Sequence, residues 1–153
     1  MEVKYFRMIE KISFEEIFPI WQNQLWPNRQ SKIESNSAML FLGEYTLENF
    51  NYKPTFFAFK KDNKIAGVNS GHRCADNSYR SRGLYVFPEF RNLGIGTLLL
   101  KEIINQGILE NAKFVWSLPR KESWSAYNKA GFSLSSEWHD TETGLNAYCK
   151  RDL

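Results

Sequence analysis

Val86-Phe87-Pro88-Glu89-Phe90-Arg91-Asn92-Leu93-Gly94-Ile95-Gly96-Thr97 decides how this chain reads. The stretch leaves a β-rich run over residues 79–86, whose Tyr, Leu and Val favour extended backbone. It enters a segment in which Leu99, Leu100, Ile103 and Ile104 recur at the spacing of one helix face. Between the two, Gly94 and Gly96 let the main chain approach a ligand closely. The first helical amides add unpaired donors at the positive end of the helix dipole. Strand, turn and helix therefore form one unit with an anion site built into it, and Arg91 adds a side-chain charge.

Other phosphate-binding loops fit this spacing worse. A Walker loop ends in Gly-Lys-Ser/Thr, and the dinucleotide fingerprint needs a third glycine where this chain has Leu99. Neither ATP nor a nicotinamide dinucleotide is indicated. The two glycines alone would leave open a plain connection with no ligand. The order V-x-P-x-x-R-x-x-G-x-G, between strand and helix, resembles the acetyl-CoA motif of the GNAT superfamily, whose core is Q/R-x-x-G-x-G/A. Arg91, Gly94 and Gly96 match it. A second segment, Ser123-Trp124-Ser125-Ala126-Tyr127-Asn128-Lys129-Ala130-Gly131-Phe132, is similar to the family's A-x-x-x-Y-x-K-x-G-F in Tyr127, Lys129, Gly131 and Phe132. The specific likeness runs over about residues 79–132, and the two segments stand in the family's order.

The resemblance implies an α/β fold with a mixed, mainly antiparallel sheet flanked by helices, in a single domain over residues 1–153. It implies acetyl-CoA as cosubstrate and transfer of its acetyl group to a primary amine by direct attack. The acceptor is left open among small molecules, peptides and proteins, and a homodimer is among the assemblies it implies. Arg91, Asn92, Leu93, Gly94, Ile95, Gly96 and Thr97 would hold the pyrophosphate, with Ser123 as a further cofactor contact. Leu84, Tyr85 and Val86 would lie along the pantetheine, where a backbone amide polarises the thioester carbonyl. Gly83, just before them, marks a bulge that splays the sheet. Tyr127 would donate a proton to the departing thiolate. One departure stands out: the family often has Asn seven residues before the tyrosine, and this chain has Arg120. A module that binds CoA without transferring anything is the alternative.

The acceptor side carries weaker signals. His72 and Glu89 are the candidates to take the ammonium proton, with Glu44 and Glu48 on nearby connections. His72, Cys74 and Asp76 alternate but lack a fourth ligand and a familiar metal spacing, so no metal site is expected. Arg73, Arg80 and Arg82 form a local positive cluster suited to a carboxylate or phosphate on the acceptor, and equally to a solvated strand face.

Composition narrows the remaining classes. At 153 residues the chain suffices for one domain with its own core. Aromatic residues make up 16%, enough for rings to line a cleft as well as a core. The net charge of +3 is spread among nearly as many acids, so charge alone does not imply nucleic acid. An RNA-binding sheet would need its rings on an exposed basic face. Cys74 and Cys149 form no CxxC pair, the start Met1-Glu2-Val3-Lys4 is not apolar, and no run is long enough to cross a bilayer. A soluble, cytoplasmic protein is expected, without membrane or nucleic-acid partners.

The remaining elements follow from local pattern. A strand is expected over residues 3–8, then a helix opened by the capping box of Ser13 and Glu16. Phe14, Ile17, Phe18 and Trp21 line one face of it, and Pro19 interrupts it. A second helix is expected around residues 29–37. Residues 55–60 and 65–72 read as a hairpin across Lys61-Asp62-Asn63-Lys64. A short strand at residues 114–117, a helix over 122–130 ended by Gly131, and a hairpin of 132–137 with 145–150 complete the chain.

Overall fold

The computed structural model describes residues 8–153. The strand expected over residues 3–8 lies outside them except at Met8. The first described strand, β1 (Ile9–Ile12), pairs antiparallel with β2 (Thr55–Lys61), and β2 pairs with β3 (Lys64–Arg73). The β2–β3 turn has Asp62 and Asn63 at φ 53° and 62°, the left-handed pair that a two-residue hairpin needs and that these two residues tolerate. Next come β4 (Tyr79–Val86), β5 (Phe114–Ser117), β6 (Ser133–Leu134), β7 (His139–Thr141), β8 (Gly144–Asn146) and β9 (Cys149–Asp152). Seven of them form one sheet in the order β1-β2-β3-β4-β5-β9-β6, and β7 pairs with β8 alone. The pairings in the large sheet are antiparallel except β4 with β5. The expected hairpin of residues 132–137 with 145–150 is thus shorter than its pattern suggests: Ser133 and Leu134 pair with Lys150 and Cys149, and β7–β8 occupies the interval.

Helix α1 (Phe14–Ile20) opens with the expected capping box, Glu16 N–H on Ser13 Oγ at 3.2 Å and Ser13 N–H on Glu16 Oε1 at 3.1 Å. Pro19 supplies no amide, and the chain widens at once into a π-helical turn, Trp21–Leu25. This unit packs Ile17, Trp21 and Leu25 on one face of the sheet, against Phe56, Ala58, Val68 and Tyr85. Helix α2 (Ile95–Leu109) covers the other face, with Leu99, Leu100 and Ile103 fully buried against Phe57, Phe59 and Tyr79. Helix α3 (Trp124–Lys129) ends as Gly131 predicts: Phe132 N–H bonds the Tyr127 carbonyl, Gly131 N–H bonds that of Asn128, and the Phe132 ring packs on Tyr127.

No helix forms over residues 29–37, which are irregular. The reason is long-range. Distant side chains hold carbonyls of the segment in an irregular path, Arg82 that of Glu34 and Asn49 that of Ser37, while Arg29 takes that of Lys32 locally. Asn36 in turn bonds the carbonyls of Asn49 and Tyr52. The segment is stitched to its neighbours rather than coiled on itself.

Candidate active site

The sheet opens between β4 and β5. Their parallel ladder holds only Tyr79 to Val115 and Arg80 to Trp116, so from Ser81 onward β4 has no strand on that side. Side chains occupy its carbonyls instead: Ser117 Oγ donates to Ser81 at 2.7 Å, Trp21 Nε1 to Gly83 at 2.9 Å, and Arg91 Nε to Val86 at 2.9 Å. A cleft of about 620 Å³ runs along this opening, a size suited to a small ligand. Its walls are β4, the β5–α3 connection, residues 25–50 and the β7–β8 hairpin.

Gly83 sets the phase of β4. The register with β3 shifts between Val68 and Ser70, which places the extra residue of a bulge at Gly83 and Leu84. Gly83 has φ +84°, and a Cβ there would sit 2.3 Å from the Trp21 ring, so only glycine fits. Before the bulge, Tyr79 faces α2 while Arg80 and Arg82 lie against Trp116, Trp21 and Trp26. After it, Leu84 and Val86 face α2 and Tyr85 faces α1.

At the far end of β4 the chain makes a short turn, Pro88–Phe90, and then an open loop into α2. Asn92 and Gly94 both have left-handed backbone, φ 64° and 81°. Gly94 caps α2 without any side-chain bond, so the first helical amides are left for a ligand. A Cβ at Gly94 would meet nothing within 4 Å, so the space in front of the turn is open. Arg91 folds back, its guanidinium 5.6 Å over the Tyr85 ring, and braces the strand end while remaining exposed at the turn. The α2 start also touches α3, with Thr97 Oγ1 donating to the Ala126 carbonyl at 3.5 Å. These residues fit a pyrophosphate: uncapped amides, a glycine cradle and one nearby cation.

Between the donor turn and the cleft stands Tyr127, buried on α3 and lining the opening. Its hydroxyl is 3.3 Å from Ser117 Oγ. Ser117 Oγ faces two acceptors, this hydroxyl and the Ser81 carbonyl at 2.7 Å. Burial raises the phenol's pKa, while the bond to Ser117 pulls the other way. Tyr127 therefore keeps its proton where it lines the opening.

The family model described as "Acetyltransferase (GNAT) family" matches residues 15–132. The chain belongs to the GNAT acetyltransferase family. Membership makes acetyl-CoA the cosubstrate, and the uncapped turn fits it. Among solved structures, the chain is similar to a GNAT-family acetyltransferase from Staphylococcus aureus Mu50, with 20% identity, 95% of this chain and 98% of that one covered, and a TM-score of 0.64. It is similar to a Bacillus subtilis acetyltransferase in complex with CoA, with 16% identity, 95% and 97% coverage and a TM-score of 0.66. A ribosomal-protein-alanine N-acetyltransferase from Brucella melitensis matches with 15% identity, 95% and 99% coverage and a TM-score of 0.64. No curated protein matches the sequence.

Within this GNAT acetyltransferase the expected site residues divide. Leu84, Tyr127 and Ser123 line the opening, and Arg91 to Thr97 form the turn into α2, outside the cleft lining, with Ile95 buried. His72 lines no part of the cleft. It is 1% exposed, its Nδ1 lies 3.0 Å from the Arg73 carbonyl, and burial lowers its pKa to about 3. Glu89, Glu44 and Glu48 are exposed and lie outside the cleft lining. Of the arginine cluster, Arg80 and Arg82 enter the cleft, while Arg73 turns away to the Glu110 carbonyl and Asn77. Arg120 lines the cleft too. Among the described residues no group of three His, Cys, Asp or Glu could hold a metal, and no helix is long and apolar enough to cross a membrane.

One residue the sequence reading did not single out is His139 on β7. It lines the cleft and stacks on Tyr148, with ring centroids 5.9 Å apart. Its Nδ1 lies 3.2 Å from the Glu137 carbonyl, an acceptor, so Nδ1 carries the hydrogen and Nε2 the free lone pair. Nothing in its local sequence marks it, because its value comes from a hairpin that folds over the opening.

Proposed function

We propose that this protein transfers an acetyl group from acetyl-CoA to a primary amine held in the cleft. The observation that carries the reading is the parting of β4 from β5 beyond Arg80, with the Tyr127 phenol at the gap and an uncapped helix start at the strand's far end. Acetyl-CoA supplies the acetyl group as an activated thioester. The Gly94–Gly96 amides and Arg91 bind its pyrophosphate. The free edge of β4 around Leu84 and Val86 orients the pantetheine and polarises the thioester carbonyl. His139 Nε2 accepts the amine's proton, and Tyr127 stabilises the leaving sulfur by donating its O–H. Since a phenol ordinarily titrates near 10 and burial raises Tyr127, it acts chiefly as a hydrogen-bond donor to a thiolate of about 8.5. Holding two reactants together supplies most of the remaining acceleration, which suits a site with few chemical side chains. The buried free thiols Cys74 and Cys149 accord with the cytoplasmic setting proposed for it.

Calorimetric titration with acetyl-CoA, beside an Arg91→Glu, Gly94→Asp double variant, tests the donor site. Binding by the wild type and its loss in the variant are expected; a wild type that does not bind would sink the reading. Thiol release against a panel of amines then tests transfer. Binding with no release from any amine would favour a CoA-binding module instead. Tyr127→Phe should lower kcat about 100-fold, the scale of general acid–base assistance, with acetyl-CoA affinity unchanged. His139→Gln should lower it comparably.

A further inference from the structure

Arg80 and Arg82 stand two residues apart on β4 and both line the cleft, yet they are only 9% and 4% exposed. A buried cation is costly unless an anion meets it. Among the described residues the ion pairs include neither arginine. The two glutamates lining the cleft pair with other cations: Glu34 lies 3.6 Å from Lys32 Nζ and exerts only a lesser pull on Arg82, outweighed by burial and by the neighbouring arginines, and Glu142 lies 3.6 Å from Arg29 Nε and accepts the Ser31 hydroxyl.

What holds the two guanidiniums is neutral. Arg80 Nη1 donates to Ser37 Oγ at 2.7 Å, and the group lies 4.8 Å over Trp116. Arg82 Nη1 donates to the Glu34 carbonyl at 2.8 Å, and its guanidinium lies 5.0 and 5.3 Å over Trp21 and Trp26. Aromatic faces fix the guanidinium planes without neutralising them. Burial accordingly lowers both pKa values, Arg80 to about 10, and for Arg82 the neighbouring Arg80 adds to the effect. Arg80 Nε is buried with no partner at all. With Nη1 committed to Ser37, Nε and Nη2 remain as the side-on fork that matches the two oxygens of a carboxylate. The CoA phosphates are not the missing anion, since residues 80 to 86 of extended strand place Arg80 roughly 20 Å from the start of the donor turn.

We infer that the acetyl acceptor is a small amino-carboxylate whose carboxylate is bound by Arg80 and Arg82 in the cleft. The inference rests on the acetyltransferase reading for the amine end and on the two arginines for the acid end. Matched pairs of acceptors test it: β-alanine with ethylamine, phenylalanine with phenylethylamine, lysine with cadaverine, and aminoethyl phosphate as a different anion. At least one amino acid should exceed its decarboxylated partner in kcat/KM by on the order of 100-fold, the scale of a lost charge-assisted contact. Arg80→Met and Arg82→Met should collapse that ratio while acetyl-CoA binding persists by calorimetry. Their melting temperatures should hold or rise, because each replaces a buried, unpaired cation with an apolar chain of similar length. Titration of the protein with the same amino acids alone, without acetyl-CoA, reads the carboxylate site even if no transfer occurs. Equal use of the decarboxylated amines, preference for aminoethyl phosphate, or a ratio that survives in both variants would overturn the inference. Loss of acetyl-CoA binding by the wild type would strike the parent reading instead, leaving the amino-acid titration to judge the site.

Discussion

The two walls of the cleft are built by different physics. The sheet wall, β4 with α2 packed behind it, is held by regular backbone bonding and by apolar side chains at helical spacing: Leu99, Leu100 and Ile103 are fully buried. The wall opposite, residues 26–52, has little regular structure and is held by amide and guanidinium side chains reaching for distant carbonyls. Asn49 alone bonds the carbonyls of Ser37 and Met39 and accepts from Ala75 N–H at 2.8 Å. A wall made of periodic packing announces itself in sequence. A wall made of single polar stitches does not, because each stitch depends on a partner far away.

The largest effect is expected where β4 meets the π-helical turn that leads into the irregular wall. Gly83→Ala adds a Cβ 2.3 Å from the Trp21 ring at a left-handed position, and should cost about 3–5 kcal/mol in urea denaturation through strain and overpacking together. A loss below about 1 kcal/mol would mean that β4 and the π-helical turn are not locked together. Asn49→Ala strands three backbone groups and should cost about 2–4 kcal/mol. Hydrogen exchange should speed across residues 36–52 while α2 keeps its protection; uniform loosening would show that the walls are one cooperative unit.

His72 offers a gentler test. Burial holds it neutral in the folded state, with a pKa of about 3, whereas the unfolded chain takes a proton near 6.5. Between those values the unfolded state binds more protons, so stability falls as pH drops from about 6.5 towards 3, by up to about 1.4 kcal/mol per pH unit. His72→Leu should flatten that part of the stability curve, and an unchanged slope would put the titration elsewhere. Smallest of all, Ser13→Ala should cost about 1 kcal/mol by removing the α1 cap, with no effect on acetyl-CoA affinity.

The same contrast explains what could be read beforehand. Tyr79–Val86, Phe114–Ser117, the β2–β3 turn, the capping box and the Gly131 stop were all legible, since each is fixed by neighbours in sequence or by strict alternation. The glycine turn into α2 was legible for the same reason. A helix over residues 29–37 was wrongly indicated, because local propensity cannot see Arg82 and Asn49 claiming its carbonyls. His72 drew attention as a strand-end histidine and proved buried, whereas His139 reaches the opening through a hairpin without a strong pattern. Arg80 and Arg82 were visible as a cluster, but not their burial or their want of an anion.

The single extra residue at Gly83 acts on β4 as a frameshift acts on a message. Upstream of it, even-numbered positions face the cleft and the α1 side of the sheet; downstream, odd-numbered Tyr85 takes over that face. The strand is thereby written in two independent clauses. The charges at Arg80 and Arg82 can be rewritten without disturbing the frame in which Leu84 and Val86 meet α2. A deletion of one residue within the bulge would erase the change of phase, so that one half of the strand would have to turn its side chains to the opposite face.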